Sequence, residues 1–524
     1  MITEAVNQNR GKDLITGISS INDIGLLTVE GDGMKGVPGY SKRLFQALSR
    51  EHINVILITQ SSSEYSICVA VDLELAHRAQ RILNETFSQE NSLGTLNPIQ
   101  VENDLSIIAI VGDGMKSHPG ISGRMFSALG KNGINIRAIA QGSFERNISA
   151  VLSTLDVSKA VNVLHESFFE TTYKQVHVFV LGVGNVGSKL LHQLEHQLHH
   201  LKNNLRMNVK LVGLANSKKM FFDEKGIPLN EWQYYLEQGV ALNLQELAQT
   251  IIHANLRNTV VVDITSSENV AGIYNQFLKK SISVVACNKI AASSEMKKYV
   301  ELQQLAKSFN AKYLYETNVG AALPIISTIR DVISSGDKIN SIEAVLSGTL
   351  NFVFNHYDGS RSFSSVVRQA QEEGYTEPDP RLDLGGTDVM RKILILAREA
   401  GYEMEMEMVD NNRFLPKEYM EGDVEAFYQC MEKYEEHFKQ LLEEAQRKNC
   451  KLKFVASFFD GKAAVGLRHI QADSDLYHLY GKDNIVLLRT DRYKEQPLVI
   501  KGAGAGAEVT ASGVFADIIR AANH

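Results

Sequence analysis

A chain of 524 residues is too long for one hydrophobic core, so roughly two to four domains are expected. Its 44% hydrophobic and 22% charged residues are those of a globular protein, and a formal net charge of −7 gives no basic footprint for nucleic acid. The start, MITEAVNQNRGKD, lacks the basic and apolar runs of a signal peptide, no apolar segment reaches the ~20 residues that span a bilayer, and the four cysteines (Cys68, Cys287, Cys430, Cys450) lack metal-ligand spacing. A cytoplasmic protein with reduced thiols is the expectation.

The first third repeats itself. GDGMKGVPG at Gly31–Gly39 returns as GDGMKSHPG at Gly112–Gly120, an offset of 81 residues (31 to 112). Behind each copy comes a helical pattern, SKRLFQALSREHINV and SGRMFSALGKNGINI. A strand ending in Gln60 or Gln141 follows, then a polar turn and a second strand, YSICVAV or NISAVL. Each unit reads roughly as a βαββαβ module, and two such α+β units packed side by side fit better than a solenoid, which needs three or more repeats. The boundaries expected are 1–95 and 96–172, with a last helix from Asp156 to about Phe169 and a linker at Glu170–Lys174.

From Val176 the pattern changes. The short apolar strand VHVFVL runs into Gly182-Val183-Gly184-Asn185-Val186-Gly187, which opens an amphipathic helix. Between a strand and a helix this GxGxxG is a dinucleotide fingerprint: a tight turn, close approach of the pyrophosphate, then close helix–strand packing. The phosphates then meet a helix N-terminus. Leucines 190, 191, 194, 198 and 201 make that helix amphipathic, so His192, His196, His199 and His200 fall on its wetter faces and form no metal site. Further strands are expected at 209–216, 259–265, 282–288 and 312–319, with helices between them, as in a doubly wound parallel sheet spanning 173–320. The second strand ends in Asn216, where an NAD-selective site often carries an acid, and Ser217-Lys218-Lys219 follows. Neutral Asn216 with Lys218 favours a 2′-phosphate and hence NADPH, with NADH use left open.

A third region, 321–501, carries GYTEPDPRLDLGGTDVMRK at Gly374–Lys392. Here Glu377, Asp379, Asp383 and Asp388 gather beside Lys392 in a loop stiffened by Pro378 and Pro380 and ended by Gly385-Gly386. A helix over Thr387–Ala400 is expected, stopped by Gly401, and on it Asp388 and Lys392 share one face. Clustered acids suit a cationic substrate group, and a lysine suits proton transfer. Residues 402–447, EMEMEMVDNN and EAFYQCMEKYEEHFKQLLEEAQ, read as an acidic, solvated helical region available for oligomer contact, followed by strands at LKFVASF, KAAVGLRHI, NIVLLRT and PLVIKG. Gly502-Ala503-Gly504-Ala505-Gly506 then leads into a helix over Thr510–Ala521.

The repeats resemble the paired ACT domains of aspartokinases. NVGAALPII at 318–326, SGTLNFVFN at 347–355, EEGYTEPDPRLDLGGTDVMRKILILARE at 372–399 and CNKIAAS at 287–293 resemble homoserine dehydrogenase, over about 176–521. The resemblance implies an α/β chain in four parts: two ACT-like domains, a Rossmann domain to which 502–524 returns, and an α+β substrate and dimerisation domain. It implies reversible NAD(P)H-dependent reduction of L-aspartate 4-semialdehyde to L-homoserine, in threonine and methionine biosynthesis. Lys392 would be the acid/base, its pKa lowered by a buried site, with Asp388 as its orienting partner and Lys289 as a second lysine. Glu377 would bind the substrate amine beside Asp383, and Asp379 would be loop structure. Thr265, Lys289, Gly504 and Gly506 would approach the cofactor. The resemblance further implies a monovalent cation (Na+ or K+) on the backbone carbonyls of Glu316, Val319, Ala321 and Leu323. An effector amino acid, threonine, would bind at Asn54 and Gln60 and at Asn135 and Gln141, and the chain would be a homo-oligomer, dimer or tetramer. No aspartokinase catalytic opening of the Lys-Phe-Gly-Gly-Thr-Ser kind precedes the repeats, so aspartate phosphorylation is not expected. The alternative is a non-catalytic regulatory or oligomerisation fragment.

Overall fold

The computed structural model describes residues 15–112, 115, 118–142, 146–169, 173–376, 378–416, 421–481 and 483–523. The Glu170–Lys174 linker lies largely outside them, as do Glu377 and parts of the second GDGMKSHPG and its following turn. The chain divides into two compact units, one up to Lys174 together with Asn255–Arg257, the other comprising Gln175–Ala254 and everything from Asn258 onward.

In the first unit each repeat forms strand, helix, strand, strand, helix: Gly17–Glu30, Tyr40–Arg50, Leu57–Gln60, Ser66–Asp72 and Leu73–Thr86, then Gln100–Val111, Ile121–Lys131, Ile136–Ala140, Asn147–Ser153 and Val157–Phe168. The last strand of the expected βαββαβ module is not appended to each copy. Instead the long first strands of the two copies pair antiparallel, Ile21 opposite Ile107 and Leu27 opposite Val101, so each completes the other's half of one six-stranded sheet. These strands are apolar on both faces. Leu27 and Val29 meet Leu44, Leu48, Ala76 and Leu83 from the helices, while Ile24 and Leu26 join Leu105, Ile107 and Val151 on the opposite side.

The second unit holds two sheets. The first runs, in spatial order, Val240–Ala241, Lys219–Phe222, Met207–Ala215, Lys174–Leu181, Thr259–Asp263, Ser283–Ala286 and Tyr313–Leu314. Lys174–Leu181, Thr259–Asp263, Ser283–Ala286 and Tyr313–Leu314 pair in parallel, as a doubly wound sheet requires. The run KYLYETNV makes only a two-residue strand before turning into a 3-10 helix at Glu316–Asn318, after which Gly320 and Ala321 take left-handed φ of 75° and 52°. Strand Lys219–Phe222 folds back antiparallel on Met207–Ala215, a hairpin the alternating apolar pattern did not reveal. Helix Asn185–Asn203 buries Leu190, Leu191, Leu194 and Leu201; Leu198 is exposed, as are the four histidines. The terminal helix Ala507–Ala522 returns to this sheet, and its Ala511, Val514 and Ile518 enter the core of Val178, Val180 and Leu190.

The other sheet runs Val409–Asn412, Lys462–Ile470, Lys451–Phe459, Ile339–Val345, Asp483–Thr490 and Leu498–Ala503. Its four late strands lie where alternation put them. EMEMEMVDNN, however, is not helical: Met406–Met408 is a 3-10 turn and Val409–Asn412 an edge strand. Alternating Glu and Met is a period of two, which suits an extended chain that buries Met404 and exposes Glu403. The segment Val424–Lys433 and Glu435–Arg447 is helical, but Phe427, Tyr428, Met431 and Phe438 are buried, so it packs as well as solvates.

Lys453 lies on the middle of this sheet, fully buried. Its ammonium donates to Asn351 Oδ1 (2.8 Å), Asn355 Oδ1 (2.6 Å) and Leu479 O (2.6 Å), and so fixes helix Gly348–His356 to the strand. Burial pushes its pKa down to about 8. The folded state therefore releases a proton that the unfolded chain keeps up to about 10.4, and stability contributed here rises as pH goes from about 8 to about 10. The thermal midpoint should show this increment, and Lys453→Met should remove it; melting curves across that range check it.

Candidate active site

The site forms where the nucleotide sheet and the helices of the second sheet meet within one unit. At the end of Lys174–Leu181, Gly182 has φ 97°, and a Cβ there would stand 2.9 Å from the Ile264 carbonyl. A Cβ on Gly187 would stand 2.1 Å from Gly182 O, so the third glycine serves helix packing. Gly184 caps helix Asn185–Asn203 with its free N–H groups, and Val183 and Val186 pack on the core. Beside this turn is a cavity of about 380 Å3 lined by Gly182, Asn216, Ser217, Leu242, Thr265, Ser267 and neighbours. Asn216 Oδ1 accepts the backbone N–H groups of Lys218 (2.8 Å) and Lys219 (2.7 Å). Lys218 itself is exposed and is not among the lining residues.

A second, more polar cavity of about 330 Å3 is lined by Ser347, Thr349, Tyr375, Asp383, Asp388 and Lys392, with Ala505 and Gly506 from the returning segment. The loop before it is not wholly irregular. Asp379 caps a short helix, Pro380–Leu384, by accepting from Arg381 N, and pairs with the Arg381 guanidinium. Pro380 is the first residue of that helix, where its fixed φ and missing N–H cost nothing. Gly386 follows with φ 76°, and a Cβ there would meet the Phe454 ring at 2.9 Å. Helix Thr387–Glu399 then begins with Asp388 in its first turn, where helix dipole and anion agree.

One carboxylate organises the centre. Asp388 Oδ2 lies 2.8 Å from Lys392 Nζ, and Oδ1 lies 3.3 Å from Lys289 Nζ on the nucleotide side. Lys392 is buried and also donates to Leu346 O at 2.7 Å. Against the opposing effect of burial, the two ammonium groups hold the Asp388 carboxyl well below the usual carboxylate range. The Asp388 charge in turn raises the Lys289 pKa. Around Lys392 stand a carboxylate and a carbonyl, both hydrogen-bond acceptors for its ammonium. Asp383 reaches the same cavity, with Thr349 Oγ1 3.1 Å from its Oδ1 and 2.5 Å from Tyr375 O.

Gly506 lines the polar cavity, whereas Gly504 owes its lack of a side chain to Asn484, whose amide a Cβ would meet at 2.0 Å. The carboxylate of Glu316 accepts from Ile326 N (2.7 Å) and Ser327 N (2.9 Å), and its own N–H donates to Asp517 Oδ2 (2.9 Å). These bonds fix the segment that carries the Val319, Ala321 and Leu323 carbonyls. Among the described residues no cluster of three or more His, Cys, Asp or Glu could hold a metal, and no helix is long and apolar enough to cross a membrane. In the first unit Asn54, Gln60, Asn135 and Gln141 are all exposed. Gln141 Oε1 accepts from Ser122 Oγ (3.1 Å) at a helix start, whereas in the first copy Glu64 Oε2 accepts from Gly36 N (2.9 Å).

Comparison with known families agrees with this division. A homoserine dehydrogenase model matches residues 324–519, a homoserine dehydrogenase NAD binding domain matches 182–316, and an ACT domain matches 27–87 and again 108–168. The chain belongs to the homoserine dehydrogenase family. It is 40% identical over 512 residues to a bifunctional aspartokinase/homoserine dehydrogenase of Haemophilus influenzae, covering 97% of this chain and 63% of that protein. A chloroplastic counterpart of Arabidopsis thaliana is 38% identical over 530 residues, 100% of this chain and 58% of that one. The chain therefore spans about three-fifths of the length of these relatives. Among solved structures, a Candida auris protein of unknown function is 35% identical with a TM-score of 0.61, covering 67% of this chain and 99% of its own. A hyperthermophilic archaeal homoserine dehydrogenase in complex with NADPH, 24% identical with a TM-score of 0.53, shares the fold over 66% of this chain and 98% of its own.

Ser347, Thr349 and Tyr375 were not assigned from sequence. They lie in or beside the family segments, but small polar residues at a helix start read first as caps. Asp388→Asn removes the anion between Lys289 and Lys392. Turnover should fall at least tenfold, and because Lys289 loses the charge that raises it, the alkaline limb of the pH–rate profile should move to lower pH.

Proposed function

We propose that the chain catalyses the reversible, NAD(P)H-dependent reduction of L-aspartate 4-semialdehyde to L-homoserine. What supports this most is the Lys289–Asp388–Lys392 group, which joins the nucleotide side to a polar cavity of small-molecule size. The cofactor supplies the hydride in this direction. Reduction leaves negative charge on the former carbonyl oxygen, and the task of the chain is to stabilise and protonate it. Lys392 gives that proton and takes it back in the reverse reaction, while Asp388 holds its ammonium in place. Lys289 adds a second positive charge at the same wall. Asp383, and Glu377 by family resemblance, take the α-ammonium of the substrate. Gly348 and Thr349 line the cavity at a helix N-terminus, a favourable setting for the α-carboxylate.

For the cofactor we favour NADPH. The Asn216 oxygen is occupied by its own turn, which leaves Nδ2 as the donor end and no carboxylate to repel a 2′-phosphate. A monovalent cation on the carbonyls of Glu316, Val319, Ala321 and Leu323 is consistent with oxygen donors on an irregular turn. We further propose a homo-oligomer in the cytoplasm, and threonine as effector of the ACT pair at Asn54, Gln60, Asn135 and Gln141. A helix start beside the strand end in each copy suits an amino-acid carboxylate.

Incubation with L-homoserine and either NADP+ or NAD+ should raise absorbance at the reduced-nicotinamide wavelength, faster with NADP+. Lys392→Ala should abolish turnover and spare cofactor binding; no rate with either cofactor in the native protein rejects the activity and leaves the non-catalytic reading. In a second measurement, threonine should inhibit, and Gln60→Ala with Gln141→Ala should weaken that inhibition. An unchanged inhibition curve refutes the assigned effector residues.

A further inference from the structure

Lys289 sits on a turn rather than on a helix or strand, yet its nitrogen must stay at Asp388. The residues on both sides of it lead back to one buried carboxylate, Asp263, at the end of strand Thr259–Asp263. Cys287 N donates to the Asp263 backbone oxygen at 2.8 Å. Asn288, 3% exposed, donates from Nδ2 to Asp263 Oδ2 (3.1 Å) and to Ser267 O (2.9 Å), and its Oδ1 accepts Ile290 N (3.1 Å). Asp263 Oδ1 accepts Thr265 N (2.7 Å), and its Oδ2 also accepts from the Tyr274 hydroxyl. Thr265 and Ser267 line the cofactor cavity. One carboxylate and one amide thus tie the cofactor loop to the turn on which Lys289 sits.

We propose that Asp263 and Asn288 are positioning residues that set Lys289 against Asp388 and couple its placement to the cofactor loop. The proposal rests on the catalytic reading of Lys289 given above. A buried carboxylate is costly to keep unless it is fully hydrogen-bonded, and a plain stop to the strand needs none. Here every named bond of the pair goes to residues 265–267, to 287–290 or to the Tyr274 hydroxyl, the two loops being those that face the cofactor and carry the lysine. The Tyr274 hydroxyl occupies part of Oδ2, which leaves the Asn288 amide as the side-chain link between Asp263 and the lysine turn.

A double-mutant cycle tests it. Asn288→Ala in the full chain should lower kcat at least tenfold while the dissociation constant for NADP+, read by protein fluorescence, stays within threefold. In the Lys289→Ala background the same change should alter residual kcat by less than twofold, because the residue it positions is gone. If Asn288→Ala costs as much in that background as in the native chain, the positioning role is overturned and the reading of Lys289 stands. If Lys289→Ala alone turns over normally, both fall.

The near-isosteric Asn288→Asp guards against a variant that does not fold or a background without measurable turnover. It keeps the acceptor for Ile290 N but sets a carboxylate against Asp263, with Tyr274, Tyr313, Cys287 and Lys289 as the other titratable groups nearby. Its kcat should recover as pH falls, because a proton shared by the facing carboxylates restores the donor. A kcat–pH profile of Asn288→Asp that parallels the native one also overturns the proposal.

Discussion

Two ammonium groups cannot meet at such close range without an anion between them, and Asp388 is that anion. Its position is set by backbone before it is set by charge. Gly386 takes a left-handed conformation against the Phe454 ring, the chain turns, and Asp388 falls in the first turn of helix Thr387–Glu399. There the helix dipole, Lys392 one turn on and Lys289 from across the cleft all favour the ionised carboxylate. Because Lys289 follows strand Ser283–Ala286, the same carboxylate also links the nucleotide side to helix Thr387–Glu399.

The two cavities divide the chemistry. The one at the Gly182 turn has leucines and small polar groups along its wall, which suits a flat ring system with a few fixed hydrogen bonds. The one at Lys392 gathers carboxylates, hydroxyls and an ammonium, which suits a small zwitterion. The terminal helix ties them together: Ala505 and Gly506 line the substrate side, and further along Asp517 accepts from Glu316 N while Arg520 pairs with both acids. The glycine-rich segment and helix that the resemblance brings back to the nucleotide domain thus close the site from behind.

The glycine fingerprint, the Asp388–Lys392 pair and the late strands were legible because each depends on a local spacing, 3.6 or 2, or on a positive φ. What was not legible depends on distant partners. Central strand Ile339–Val345 buries Ile339, Ile342, Ala344 and Val345 without strict alternation, and edge strand Val409–Asn412 hides in an acidic stretch. Thr349 gains its meaning only from Asp383 and Tyr375, and Gly504 only from Asn484. Asp263 closes an apolar strand as many polar residues do, and nothing local distinguishes it from a simple strand terminator. For the same reason each repeat reads as a complete module in sequence, since pairing of Gly17–Glu30 with Gln100–Val111 lies outside either copy.

That pairing makes the two copies of the first unit interdependent. Each repeat has its own apolar layer under its helices, around Leu44 and Leu83 in one and Met125 and Leu164 in the other. The opposite face of the sheet is shared: Ile24, Leu26, Leu57 and Ala70 from the first copy pack with Leu105, Ile107, Ala138 and Val151 from the second. A repeat on its own would lose a strand neighbour and expose half of that cluster to water, where burial of each such side chain is worth about 1.5–3 kcal/mol. The two copies are therefore one folding unit. Any shift in the strands of one copy must therefore be accommodated by the other, because the two share this apolar face.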